Sequence, residues 1–193
     1  MKSLLAATSL ALIVISPVRA EWTLDNDASR VNFISTKANT AAEVHTFGIV
    51  DGSVDGEGNV TISIDLDSVD TAIEIRDERM RDMLFETGEY PSATLVAQIE
   101  TAAIESLDVG ESTVVTVEGQ LQLHGTSTSV TIEASVARLA EDRILVASRK
   151  PVIVNAGQVG LLAGVEKLRE VAGLPSISPA VPVTFVLAFD RDS

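Results

Sequence analysis

Apolar and polar residues alternate with a period of two along most of the chain, the mark of strands that bury one face and wet the other. Val31 and Phe33 open the pattern. Val60, Ile62, Ile64 and Leu66 then interleave with Thr61, Ser63, Asp65 and Asp67; Leu95, Ala97 and Ile99 share one parity, as do Val115, Val117, Leu121 and Leu123. Val130, Ile132, Ala134 and Val136 alternate with Thr131, Glu133 and Ser135, and Val181, Val183, Phe185, Leu187 and Phe189 form the last series. Turn-forming residues separate these series. Asp51-Gly52 and the acidic glycine-rich run 55–59 predict turns between two strands, and His124-Gly125-Thr126-Ser127 predicts one between two more. Successive antiparallel strands of this kind build a sandwich or a closed barrel, the arrangements that dispose of exposed sheet edges, and periodicity does not choose between them.

Two stretches change period. Ile73, Met80, Met83 and Leu84 recur at helical spacing, with Glu74, Asp77 and Glu78 early and Arg79 and Arg81 late, as the helix dipole prefers. A short amphipathic helix over 73–85 is predicted. Between Leu161 and Ala172, Val165, Leu168 and Val171 line one face, and Gly173 followed by Pro175 ends the run. The prolines that follow read as an extended connector into the final strand.

The first twenty residues do not belong to this pattern. Lys2, the apolar run Leu4 to Ile15 and the compact Val18-Arg19-Ala20 read as a secretory signal peptide, leaving 21–193 as one domain. A dozen apolar residues is too short for a spanning helix, which needs ~20. With no cysteine in the chain, neither an acyl anchor nor a disulfide is expected, so stability has to come from packing. The expected location is therefore the periplasm, without a stable membrane anchor. The net charge of −14 becomes more negative by two once Lys2 and Arg19 leave with the signal. That charge argues against nucleic acid and anionic membrane surfaces as partners.

Catalytic constellations are scarce. The two histidines, His45 and His124, lie in separate segments without close ligand spacing, so no metal site is expected. No nucleophile elbow and no phosphate loop occur, and the glycine-rich run near Gly52 is acidic and would repel phosphate. One Trp, one Tyr and five Phe are few for a glycan cleft. No enzyme activity and no cofactor are expected. The interior is mostly aliphatic, and a small barrel of such residues is either filled by its own side chains or left open for a ligand.

Several segments resemble a known family. Trp22-Thr23-Leu24-Asp25, Ser68-Val69-Asp70-Thr71, the helix Arg76-Asp77-Glu78-Arg79-Met80-Arg81, Phe85-Glu86 with Tyr90-Pro91, Leu121 to Thr126 (Leu-Gln-Leu-His-Gly-Thr) and Asn155 to Leu161 occur in order. The chain resembles the YceI-like family of periplasmic polyisoprenoid-binding proteins over essentially all of residues 21–193. That resemblance implies an all-β, extended lipocalin-like, eight-stranded antiparallel barrel with two short helices, whose tunnel takes an isoprenoid chain. It therefore selects barrel over sandwich. Carried over by position, Phe33, Phe47, Ile49, Ile64, Met80, Met83, Leu84, Leu95, Leu123, Val183 and Phe185 become the tunnel-lining candidates. Arg76, Arg79, His124 and Asn155 become the polar head-group candidates.

Two departures are visible. Where relatives often read Asn-Arg-x-Asp-Phe-Gly-Leu, this chain has Asn155-Ala156-Gly157-Gln158-Val159-Gly160-Leu161, and the glycine-rich late loop is replaced by the helix Leu161 to Ala172. The tail-binding tunnel is expected to survive both. The sequence thus predicts a carrier of an isoprenoid or quinone-type lipid; a homodimer is compatible with it. The rival is a non-catalytic envelope stress or interaction protein with a filled core. A continuous internal cavity of several hundred cubic ångströms separates the two.

Overall fold

The computed structural model describes residues 20–191. The predicted signal segment, apart from Ala20, lies outside the described residues. Eleven strands follow one another: β1 (Ala20–Lys37), β2 (Ala41–Phe47), β3 (Val50–Asp55), β4 (Asn59–Asp65), β5 (Val69–Asp70), β6 (Ser92–Gln98), β7 (Ser112–Leu123), β8 (Thr126–Ala140), β9 (Arg143–Ser148), β10 (Val152–Asn155) and β11 (Ala180–Arg191). The helices are α1 (Glu74–Arg79), which continues as a π-helical turn through Met80–Phe85, α2 (Ala102–Glu105) and α3 (Leu162–Val171). None of the described helices is long and apolar enough to cross a membrane.

Eight strands close a ring in the order β1-β3-β4-β6-β7-β8-β9-β11, with β11 returning to β1, so the barrel implied by the resemblance is the observed fold. Closure depends on the length of β1 and β11. Trp22 and Thr23 of β1 pair with β3, whereas Val31 to Lys37 pair with β2. In the same way Val186 to Asp190 of β11 pair with β9, and Ala180 to Val183 with β10. The ring therefore extends at one end into a second layer of sheet, completed by β5 alongside β2.

The change of partner occurs at a bulge in β1 between Asp25 and Arg30. Polar side chains replace the interrupted ladder there. The buried Ser29 hydroxyl donates to the Asp25 carbonyl at 2.6 Å and accepts from the Ala188 N–H at 3.0 Å. Asn26 accepts from Val50 N–H at 2.8 Å and donates to Gly48 O at 3.3 Å. Arg143 of β9 bridges Asp25 (2.7 Å) and Asp190 (2.8 Å), holding the Asp25 carboxyl below its usual range.

The hairpin after β7 is a two-residue turn. His124 and Gly125 both have positive φ, 50° and 70°, as the tight hairpin turn of type I′ requires. The predicted turn at Asp51-Gly52 is instead part of β3. A side chain at Gly52 would put Cβ 2.6 Å from Ile62 Cδ1 and 3.1 Å from Leu24 Cδ1, so the glycine marks close packing. The real turn follows Asp55, whose carboxylate accepts from the N–H groups of Glu57 and Asn59, both at 2.9 Å.

α1 with its π-helical turn and α3 cap the extended end. Met80, Leu84 and Phe85 pack with Leu161, Val165 and the fully buried Val159, while Phe85 lies 6.0 Å from Phe47 between ring centres. Gly164 lets α3 come this close: a Cβ there would lie 2.7 Å from the Met83 carbonyl oxygen and 2.8 Å from Leu84 Cα. Both are backbone atoms that do not yield easily. Gly164→Ala should therefore destabilise the protein by about 1–3 kcal/mol, the usual cost of overpacking. Urea denaturation of the two proteins checks this, and an unchanged midpoint would show that the cap tolerates a wider separation.

Candidate binding cavity

Inside the ring lies an apolar cavity of about 500 Å³, lined by β3, β4, β6, β7, β8, β9 and β11. A smaller space of about 110 Å³ adjoins it, and the two share Ile62, Leu95, Ile132, Phe185 and Leu187 as walls. The inward series of the strands make these walls. Val115, Val117 and Leu121 point inward yet remain half-buried, because no protein atom covers their tips. In a filled barrel the same positions would approach complete burial.

Ile64, Leu95, Val183 and Phe185 of the predicted lining residues face this space. Phe33, Phe47, Met80, Leu84 and Leu123 are buried in the core without lining it, since the aromatic and cap residues pack among themselves at the closed end. Met83 is half-buried beside α3. Ile49 is a correction: it sits between β2 and β3 and is 48% exposed, because the chain turns there and strand parity no longer governs its direction. Lining residues that the sequence reading missed include Val54 on β3, Ile144 and Val146 on β9, and Val152 and Val154 on β10. The short β-branched runs of β9 and β10 are the only local signal for them.

None of the four head-group candidates lines the cavity. Arg76 is part of a clamp around the start of α1. Its Nε donates to Thr71 Oγ1 at 2.7 Å, its guanidinium pairs with Glu43, and Asp77 accepts from the Thr71 N–H at 2.9 Å and from the Thr71 hydroxyl. Lys37 also binds Glu43, at 2.6 Å, and with Arg76 holds that carboxyl below its usual range. Arg79 is half-buried on α1. His124 stacks on Tyr90 with ring centres 4.3 Å apart and hydrogen bonds Glu86 at 2.9 Å, which lowers the Glu86 pKa. Lys167 of α3 reaches the same carboxylate at 3.5 Å, so Glu86 joins the π-helical turn, the β7–β8 hairpin and α3. Asn155 accepts from the Gly157 N–H at 2.9 Å and shapes the turn after β10.

One polar group is buried at the closed end. His45 is 4% exposed beside Phe33, its Nε2 is 2.9 Å from Ser35 Oγ, and its Nδ1 finds no hydrogen-bond partner among the described residues. Among those residues no three His, Cys, Asp or Glu side chains come together as a metal site.

These features define a small antiparallel barrel whose interior is kept apolar and open, the architecture of a binding protein for an elongated apolar molecule. The profile of the YceI-like domain matches residues 22–189, and the chain belongs to that family. Among solved structures it is similar to a polyisoprenoid binding domain from Saccharophagus degradans implicated in plant cell wall breakdown. That pair shares 39% identity and a TM-score of 0.88 over 90% of this chain and 100% of the other. Burkholderia cenocepacia BcnA (19% identity, TM-score 0.65, 86% of this chain and 98% of that one) has the same fold. So does a Campylobacter jejuni YCEI protein (13% identity, TM-score 0.58, all of both chains). Curated proteins yield no match.

Burial, with the Arg76 charge next in importance, pushes the His45 pKa below its ordinary 6.5. The unfolded chain then takes up a proton near pH 6.5 that the folded chain refuses, so stability present above that pH is lost as pH falls towards the folded pKa. In urea melts at pH 7.5 and 5.5, the wild-type midpoint should fall more than that of His45→Phe. Equal falls would mean that His45 does not titrate differently on folding.

Proposed function

We propose that this protein is an exported, periplasmic, non-catalytic carrier that sequesters an isoprenoid or quinone-type lipid in its barrel, with no cofactor besides that ligand. The observation that carries the reading is the apolar space of about 500 Å³ inside the ring and the adjoining space of about 110 Å³. Ligand sites for molecules of this size span ~300–1,000 Å³. Burial supplies the affinity: each methylene contributes ~0.8 kcal/mol on leaving water, so several isoprene units reach micromolar binding after association costs. The polyisoprenoid-binding relative at 39% identity supports the same class of ligand. An N-terminal segment patterned as a signal peptide supports export. A surface-acting protein with a filled core fits less well, since half-buried wall residues such as Val117 and Leu121 would have no reason to lack cover.

Native mass spectrometry of protein purified gently from its own periplasm, followed by organic extraction, tests the carrier reading. A stoichiometric polyprenyl compound is expected. Protein that carries no lipid and takes up neither added quinone nor a polyprenyl lipid would overturn it. Leu95, shared by both parts of the cavity, offers a second check. Leu95→Trp should divide the space and weaken lipid binding by roughly tenfold or more, about 1.4 kcal/mol, as measured by titration; undiminished affinity would place the ligand elsewhere.

A further inference from the structure

Beyond the ring, β10, β11, β1 and β2 lie side by side in one sheet. Its inward parity is accounted for: Phe33, His45 and Phe47 are buried, and Val154 and Val183 line the smaller space. The outward parity faces solvent. Val44 pairs with Ile34, Pro182 pairs with Ile153, and the β1–β11 register that joins Asn32 to Thr184 sets Ile34 beside Pro182. An apolar row therefore crosses the sheet from edge to edge, with Val44 66% and Ile153 57% exposed at its ends. Single exposed aliphatics are ordinary, but four in one cross-strand row form a patch.

The outward rows on either side hold only Ala, Thr and Asn on these strands. A chain with 28 acidic and 14 basic residues has thus left this sheet face free of charge. Charges of opposite sign stand at its two sides. The exposed Asp70 of β5 pairs with Thr46 beyond the β2 edge. The exposed Lys150 lies two residues before β10, and its ammonium is 3.5 Å from the Glu133 carboxylate. A two-fold axis along the strands, in the plane of contact, lays Val44 of one copy over the partner's Ile153 and Ile34 over the partner's Pro182. The same rotation carries each Asp70 to the side of the partner's Lys150. A second copy supplies the matching uncharged row by symmetry. Over the rest of their surfaces two such acidic copies repel, and the same net charge repels an anionic bilayer.

We propose that this outer sheet face is a homodimer interface, in which two copies pack sheet on sheet with their strands nearly aligned. Four strands ~4.8 Å apart and five residues at ~3.3 Å each give a face of roughly 300 Å² in projection, small for a specific interface, so the dimer is weak and reversible. The proposal does not depend on what the barrel holds.

Sedimentation velocity of the purified protein at physiological salt, from micromolar to near-millimolar concentration, tests it. The sedimentation coefficient should rise with concentration towards that of a dimer. Val44→Lys puts a charge against the partner's Ile153 and should weaken association roughly tenfold or more, with the urea midpoint of the monomer close to wild type because the position is exposed. Lys150→Glu should weaken association several-fold, and more at low salt than at high. A monomer at every concentration overturns the proposal. So does a dimer that neither substitution weakens, which would place the interface on another face. Flotation of the wild-type monomer, but not of Val44→Lys, with vesicles of phosphatidylethanolamine and phosphatidylglycerol overturns it in favour of a bilayer.

Discussion

Everything in this barrel depends on β1 serving two sets of partners. A strand of 18 residues cannot follow the curved wall and also feed the extension without a break in its ladder. The break is the bulge at 26–29, and its consequences are met locally by side chains: Ser29 and Asn26 take up backbone groups that the bulge would otherwise leave without partners. Because the bend sits between the segments paired with β3 and with β2, the second layer of sheet projects from one end only. That asymmetry places the helical cap at one end.

The interior follows from where the bulky residues are spent. Phe33, Phe47 and Phe85 associate with His45 and the cap, at ring separations of 5.1–6.0 Å, and close that end with a solid core. The rest of the ring is walled mainly by Val, Ile, Leu and Ala, which are too small to meet across it. Core and cavity therefore share a continuous apolar lining but differ in residue volume. The polar residues obey the same division: Arg76, Asp77, Thr71 and Glu43 fasten α1 to the sheet outside the cavity, and Glu86 ties the cap to the β7–β8 hairpin.

This division explains what the sequence could and could not convey. Long alternating series such as 130–136 and 181–189 announce their strands and inward faces, and His124-Gly125 announces its turn, because both are local signals. The barrel itself came from the motifs that resemble a family. β9 and β10 are short, and their alternation is too brief to stand out, so their lining residues went unread. Motif residues attract functional readings, yet Arg76, His124 and Asn155 hold helices and turns in place. Their partners, Glu43, Glu86 and Gly157, are fixed by tertiary geometry that no spacing reveals. Gly52 looked like a turn because glycine serves both for φ freedom and for close approach, and sequence alone does not say which.

Pairing of β1 with β11 joins the first described strand to the last, Trp22 to Arg191. In folding terms this is the contact of greatest sequence separation in the ring, and its loop-closure entropy is met only after every intervening strand exists. Hairpins such as β7–β8 form from neighbours, but the lumen has no inside until the chain's end arrives. During synthesis the apolar face of β1 therefore waits, uncovered, for a partner almost the whole chain away. A polypeptide lacking β11 would keep most of its local hairpins and enclose nothing.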